Sequence, residues 1–157
     1  MKKNWKPYLF WILLTEAVGA FSGWLTREGT KLYQQTIVKP PLSPPGWVFP
    51  VIWTILFALM GISAARICLA PPSKARNLGL NLFVAQLVVN FFWSPIFFNL
   101  QAFGFSFFWL LLLWSLVLTM IFVFRKTDPT AAKLQIPYQL WLTFAAWLNL
   151  GVWYLNR

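Results

Sequence analysis

The sequence predicts an all-α membrane protein, built as a bundle of five transmembrane helices. Of its 157 residues, 59% are hydrophobic and only 10% are charged, whereas soluble domains carry roughly 25% charged residues. A soluble domain of this length could not bury so much apolar surface, so much of it must face lipid. The length suits one domain, and we expect residues 1–157 to form a single transmembrane unit.

Five apolar windows are long enough to cross about 30 Å of hydrocarbon as helices. Together they contain one formal charge, Glu16 in the first window. The connection between the first two windows is long, and the other three connections are short and polar or proline-containing. In chain order, the predicted spans are 8–26, 48–65, 77–98, 103–124 and 134–155.

Prolines indicate where the helices begin. Pro50 lies close enough to the start of the second span to be tolerated in a helix. Asp128 followed by Pro129 is typical of an N-cap with proline in the first turn, so the last helix would begin before the membrane. Pro137 then either kinks this helix or marks its true start.

The basic residues predict the orientation in the membrane. Nine of them lie on the N-terminal side of the predicted bundle and four on the opposite side, which favours a cytoplasmic N-terminus and an external 27–47 connection. The nine are Lys2, Lys3, Lys6, Arg66, Lys74, Arg76, Arg125, Lys126 and Lys133, and the four are Arg27, Lys31, Lys39 and Arg157.

The composition argues against several classes of function. The net charge of +10 would suit nucleic acid, but the basic residues fall in short segments between apolar windows, so we expect membrane lipid and no nucleic acid as a partner. The chain has no histidine, three acidic residues and one cysteine, Cys68. We therefore expect no metal site, no cofactor and no acid–base catalytic machinery.

Three of the predicted helices carry a stripe of aromatic, small or amide residues at helical spacing. Each stripe alone fits helix packing as well as it fits one wall of an aromatic cavity. Three stripes together favour the cavity. They are Phe49, Trp53, Phe57 and Gly61 on the second span; Gln86, Asn90, Trp93 and Ser94 on the third; and Pro137, Trp141, Ala145 and Asn149 on the fifth.

Three separated motifs give the chain a resemblance to a known family. They are KPPLSPPGWVFPVIWTILF at 39–57, NFFWS at 90–94 and PYQLWLTFAAWLN at 137–149. In this order they resemble the tryptophan-rich sensory protein or translocator protein family (TSPO, the peripheral benzodiazepine receptor), in its bacterial type. The resemblance implies a five-helix bundle, commonly a homodimer, in a bacterial cell membrane. It also implies a receptor-like pocket near the first loop that binds porphyrins and benzodiazepine- or isoquinoline-type drugs, and cholesterol in animal members.

The same resemblance assigns roles to particular residues. The tryptophan that the family links to porphyrin handling matches Trp53, and its partner on the last helix matches Trp141. With the stripes above, the expected ligand-binding set is Phe49, Trp53, Phe57, Asn90, Trp93, Trp141, Ala145 and Asn149. The family's sterol motif is matched loosely by Leu150, Tyr154 and Arg157.

A tetrapyrrole also fits the residues on physical grounds. Tryptophan faces can stack on the flat apolar ring, while Arg27, Lys31 and Lys39 in the long connection can meet its propionates. Without histidine, axial ligands for haem iron would have to come from Met60, Met120 or Cys68. Metal-free protoporphyrin IX is therefore the better candidate ligand.

The predicted function is that of a membrane binding protein or sensor for porphyrin-type ligands. One alternative is a transporter of tetrapyrroles or sterols, although no inverted repeat is visible. Another is a light- or oxygen-dependent porphyrin-degrading enzyme in which Trp53 and Trp141 are the candidate redox residues. Glu16, an ionisable residue inside a span, serves either a function or a hydrogen bond within the bundle.

Overall fold

The computed structural model describes residues 5–157, and every regular element in that part of the chain is helical. This confirms the all-α prediction. Helix α4 continues directly into a π-helical segment at Pro95–Asn99. In chain order the helices are α1 (Lys6–Leu25), α2 (Arg27–Thr36), α3 (Val48–Leu69), α4 (Lys74–Ser94), α5 (Phe103–Thr127), α6 (Pro129–Leu134) and α7 (Ile136–Leu155).

Four helical stretches are long and apolar enough to cross a membrane: Lys6–Leu25, Val48–Leu69, Lys74–Asn99 and Phe103–Thr127. The prediction of five spans is thus confirmed for four. Helix α7 has 20 residues, the same length as α1. It is not among the four, because its glutamine, asparagine, tyrosine and tryptophan residues make its mean hydropathy lower than theirs.

The predicted 27–47 loop is wrong in its first part, because α2 occupies ten of its residues. Helix α2 is too polar and too short to appear as an apolar window, although it buries Gly29 and Tyr33 on one face. The predicted fifth span at 134–155 also needs correction at its start. The separate short helix α6 ends at Leu134, and α7 begins only at Ile136.

The predicted N-cap at Asp128 is confirmed, but the prediction that the last helix begins there is wrong, because the cap starts the separate helix α6. The carboxylate of Asp128 caps α6 by accepting hydrogen bonds from the backbone N–H groups of Thr130 and Ala131, at 2.9 and 3.4 Å. Pro129 follows in the first turn. Pro137 lies in the first turn of α7 and therefore marks the helix start, where its missing N–H costs nothing.

Helices α1 and α3 pack closely in the part of the bundle that lies away from the 27–47 connection. A Cβ atom at Gly61 would lie 2.6 Å from the Cα atom of Ile12, so only glycine permits this approach. One helical turn away, the Thr15 hydroxyl donates a 2.7 Å hydrogen bond to the Phe57 carbonyl. This pair of contacts fixes the register of α1 on α3.

The end of the bundle opposite the long connection has a dense apolar core. Met60, Ala64, Phe124 and Ala131 are fully buried there, and the Ser63 hydroxyl donates to the Ala131 carbonyl at 2.7 Å. These residues join α3, α5 and α6 in one cluster. We call this region the packed end.

An ion pair reinforces the packed end. The Arg66 Nε atom donates to Asp128 Oδ2 at 2.9 Å, and both side chains are partly buried. Since Asp128 also caps α6, one carboxylate holds the start of α6 and ties it to α3. Helix α6, which leads to α7, is therefore fixed at its start by the cap and by the ion pair.

Candidate functional site

A cavity of about 580 Å³ lies between the helices at the end of the bundle that carries the 27–47 connection. Its wall comes from the C-terminal halves of α1 and α4, the N-terminal halves of α3 and α5, the middle of α7, the π-helical segment and part of α2. Its volume falls within the roughly 300–1,000 Å³ typical of small-molecule sites. We call this region the cavity end.

All eight residues of the predicted ligand-binding set line this cavity. The reason is geometric: the stripes on α3, α4 and α7 face one another across the bundle axis. The set is Phe49, Trp53, Phe57, Asn90, Trp93, Trp141, Ala145 and Asn149. Of the remaining stripe members, Ser94 also lines the cavity. Gly61 packs against α1, Gln86 is fully buried and Pro137 lies in the first turn of α7.

The two tryptophans singled out by sequence meet edge to face. The ring centroids of Trp53 and Trp141 are 6.5 Å apart at an interplanar angle of 89°, and Phe49 packs against Trp141 at 5.8 Å. The Trp141 indole nitrogen is buried and has no hydrogen-bond partner within residues 5–157. The cavity wall thus offers a ligand the aromatic ring of Trp53 on α3 and the indole N–H donor of Trp141 on α7.

The amide of Asn90 lines the cavity wall and belongs to a buried chain of hydrogen bonds. The Asn90 side-chain nitrogen donates to the Tyr138 hydroxyl at 2.6 Å, and this hydroxyl donates to Gln86 Oε1 at 2.7 Å. The chain joins α4 to α7 in the apolar interior, where an unmet polar group would be costly. Asn90 is therefore held in a fixed orientation at the cavity surface.

Asn149 serves the fold as well as the cavity wall. Its Oδ1 atom accepts hydrogen bonds from the Trp93 indole and the Ser106 hydroxyl, both at 3.1 Å, and its Nδ2 atom donates to the Phe103 carbonyl at 2.9 Å. This side chain links α4, α5 and α7. Its polar atoms are already engaged by protein, so its contribution to a ligand is shape.

Of the three basic residues expected to meet ligand carboxylates, only Arg27 lines the cavity. Lys31 is exposed and lies 3.9 Å from Glu28. The Lys39 ammonium donates to the carbonyls of Tyr33, Gln34 and Ile37 at 3.2–3.3 Å and so covers the C-terminus of α2. Of these three residues, Arg27 alone can therefore offer a cation to a ligand in the cavity.

Sequence reasoning missed several wall residues. Tyr33 lies on the buried face of α2, and burial raises the pKa of its hydroxyl to about 12, so it stays a neutral phenol. Phe97 and Phe98 come from the π-helical segment. The spacing of Trp93 and Phe97, four residues apart and stacked at 4.9 Å, was the signal that could have extended the α4 stripe.

Other candidates lie away from the cavity. The residues of the loose sterol motif, Leu150, Tyr154 and Arg157, are exposed on the outer side of α7, where the Arg157 guanidinium lies 4.7 Å from the Tyr154 ring centroid. Met60 and Met120 are fully buried in the core and do not contribute to the cavity wall.

This combination defines a class: a helical integral membrane protein with a ligand-sized, mainly aromatic internal cavity. A family model described as the TspO/MBR family matches residues 6–155, and the chain belongs to this family. That assignment confirms the resemblance found in the sequence.

Individual relatives agree with the family assignment. The chain is similar to the tryptophan-rich protein TspO of Chlorobaculum tepidum, with 36% identity over 89% of each chain. It is also similar to the tryptophan-rich sensory protein of Cereibacter sphaeroides, with 34% identity over 99% of this chain and 95% of the relative. The translocator protein of Ovis aries is 34% identical over all of this chain and 94% of the relative.

Proposed function

We propose that this protein binds a flat, apolar tetrapyrrole, such as protoporphyrin IX, in the aromatic cavity, and acts as a membrane binding protein or sensor. The observation that carries the proposal is the wall itself. Trp53 and Trp141 present rings from opposite helices, while the small side chain of Ala145 leaves space beside them. Aromatic faces of this kind stack on planar π systems.

Arg27 gives the ligand a direction in the cavity. Arg27 lines the cavity, and its guanidinium lies 4.6 Å from the Trp24 ring centroid and donates to the Trp24 carbonyl at 2.7 Å. A guanidinium binds carboxylates strongly because it can donate two parallel hydrogen bonds. We expect the propionates to bind Arg27 while the ring packs against the Trp53 and Trp141 pair.

The five-helix bundle is part of the proposal. Helix α7 contributes the cavity wall opposite α3, and its last turns carry Asn149, which bonds to α4 and α5. A helix of 20 residues spans about 30 Å. We infer that α7 is the fifth span and that its polar residues are tolerated because they face the cavity or other helices.

The proposed location is a bacterial cell membrane with the N-terminus in the cytoplasm. Seven of the nine basic residues predicted on the cytoplasmic side belong to the described chain; Lys2 and Lys3 lie outside it. The opposite side carries Arg27, Lys31, Lys39 and Arg157.

Cysteine labelling tests this orientation. In a Cys68→Ser background, Gln35→Cys, at an exposed position on α2, should react with a membrane-impermeant thiol reagent added to intact cells. Lys126→Cys, at an exposed position near the end of α5, should react only after lysis. The reverse pattern would overturn the orientation.

The names of the relatives agree with a ligand-binding role, since both a sensory protein and a translocator protein must bind what they sense or move. Binding of benzodiazepine- or isoquinoline-type drugs and formation of a homodimer remain predictions from the family resemblance. Both concern the same fold, and neither is needed for the cavity to bind a tetrapyrrole.

A degrading enzyme is the second candidate function, favoured by the close contact of Trp53 and Trp141. Paired indoles beside a photosensitising ring can be oxidised by one electron, and residues of the cavity wall supply no acid–base pair for ordinary hydrolysis. With dioxygen as the oxidant that accepts these electrons and adds to the ring, light would then consume the bound porphyrin. Product analysis after illumination separates turnover from simple binding.

A titration of purified protein with protoporphyrin IX, followed by absorption and tryptophan fluorescence, tests the proposal. We expect saturable binding, quenching of tryptophan emission and weaker binding of haem. The same complex is then kept in light or darkness. Stable porphyrin in both supports a binder, loss only in light supports the enzyme, and no saturable binding contradicts both.

A further inference from the structure

The cavity wall contains one carboxyl group, Glu16, half-buried on α1. Within residues 5–157 the Glu16 side chain takes part in no ion pair; the two salt bridges found there are Glu28 with Lys31 and Arg66 with Asp128. It is also absent from every side-chain hydrogen bond in that part of the chain, while its neighbour Thr15 is engaged with Phe57. A carboxyl group in this position is costly without a polar partner.

A side opening lies between α1 and α3, and Glu16 lies at its closed end. On α1 the cavity is lined by Glu16, Gly19, Ala20 and Gly23, which follow one face of the helix, and on α3 it is lined by Pro50, Trp53, Thr54 and Phe57 in the same spacing. Ala20, Gly23, Pro50 and Thr54 are also exposed on the outside of the bundle. The same residues thus border both the cavity and the surface that faces lipid.

The opening widens from one glycine to the next. A Cβ atom at Gly19 would collide with the Phe57 ring, so the two helices touch there. A Cβ atom at Gly23, one turn further, would have none of the described atoms of other elements within 4 Å. The helices therefore diverge from Gly19 toward the cavity end. Glu16 precedes Gly19 by three residues and follows Thr15, which bonds to α3, so Glu16 lies at the closed end of the gap.

The polar groups of the wall differ in what they can offer a ligand. Asn149 is fully engaged by protein, whereas Arg27 begins α2, beyond the C-terminal end of the helix that carries Glu16. Glu16 is the acidic group and Arg27 the basic group of the cavity wall. A ligand with a carboxylate at one end and an N–H donor at the other matches this arrangement.

We propose that Glu16 is a specificity-determining residue that accepts a hydrogen bond or ion pair from an N–H or ammonium group on a flat apolar ligand. It would do so at the closed end of the side opening between α1 and α3. This inference rests on the proposed function, because it concerns the same cavity. It adds the chemical class: ligands that carry a nitrogen donor bind better than ligands of equal shape without one.

Two fluorescent probes of the same ring test this selectivity, 1-pyrenemethylamine and 1-methylpyrene. Each is titrated into the full-length protein in one detergent, with protoporphyrin IX as competitor to confirm the site. We expect the wild-type protein to bind the amine about tenfold more tightly than the methyl compound. Glu16→Leu should remove the preference without weakening 1-methylpyrene, and Glu16→Gln, which keeps an acceptor oxygen, should retain part of it.

Glu28→Gln is the matched control, since it removes one negative charge from exposed α2 outside the cavity wall. It should keep the full preference. A preference that survives in Glu16→Leu, or an equal affinity of both probes for the wild-type protein, would overturn the role of Glu16 and leave the cavity proposal standing. Failure of both probes to bind or to be displaced by protoporphyrin IX would count against the cavity proposal itself.

Discussion

The cavity end and the packed end are built from the same long helices, yet one encloses about 580 Å³ and the other buries Met60, Ala64 and Phe124 completely. At the packed end, alanines and serine bring α3 close to α5 and α6, and flexible methionines fill the remaining space. At the cavity end, large aromatic rings such as those of Trp53 and Trp141 line the cavity. Stiff rings that meet edge to face cannot interdigitate as aliphatic chains do.

The two ends differ in where their unpartnered polar groups lie. Buried atoms of Thr127 and Gln135 have no partner among the described residues at the packed end, whereas the unpartnered groups of the cavity end line the cavity. At the packed end the ion pair of Arg66 and Asp128 is satisfied within the protein. At the cavity end the indole nitrogen of Trp141 and the carboxyl group of Glu16 have no partner among the described residues. Stability and binding are thus assigned to opposite ends, and substitutions at the two ends should separate them.

The largest expected effect on stability comes from overfilling the packed end. Ala64 is fully buried on α3, so Ala64→Phe has no space to occupy. Such overpacking destabilises a core by about 1–3 kcal/mol, and more where the backbone cannot shift. Thermal unfolding in detergent should show a clear fall in Tm. A Tm equal to that of the wild-type protein would mean that this end is no tighter than the cavity end.

A smaller effect is expected from Asp128→Ala, which removes the cap of α6 and the partner of Arg66. Loss of an N-cap costs about 1 kcal/mol, and a partly exposed ion pair adds up to a similar amount. The Tm should fall while the affinity for protoporphyrin IX stays unchanged. A loss of ligand affinity at constant Tm would show that the two ends are coupled.

The smallest effect is expected at the cavity tryptophans. Trp53→Phe and Trp141→Phe keep a stacking ring, so each should lose only part of the affinity for protoporphyrin IX, about 0.5–1.5 kcal/mol. Exposed Trp5→Phe is the control and should change nothing. If the protein degrades porphyrin, both cavity variants should still bind protoporphyrin IX but should no longer cause its light-dependent loss.

Much of the fold follows from the sequence because hydropathy and helical spacing are local properties. The apolar windows predicted the long helices, and residues four apart on α3 and α7 predicted which rings would share the cavity. Helix α2 could not be found this way, because its ten residues are mostly polar and its burial depends on contact with the π-helical segment.

The roles of individual polar residues were harder to predict. An amide inside a membrane must face inward whether it binds a ligand or another helix, so the sequence could not separate Asn149, which bonds to α4 and α5, from Asn90. Likewise, three basic residues in one connection look alike in sequence. Only the path of α2 places Arg27 at the cavity and turns Lys39 back onto the end of that helix.

The most direct test of the central claim, that the cavity is a ligand site, is a protoporphyrin IX titration of Ala145→Phe. Ala145 lines the cavity on α7 and is 7% exposed, so a phenyl ring there should occupy ligand space without overfilling a core. Ala17→Phe, on the exposed side of α1, is the matched control. We predict a Tm close to that of the wild-type protein and a more than tenfold loss of affinity, about 1.4 kcal/mol, for Ala145→Phe alone. Unchanged affinity in the folded variant would contradict the claim and would mean that this face of α7 packs against protein.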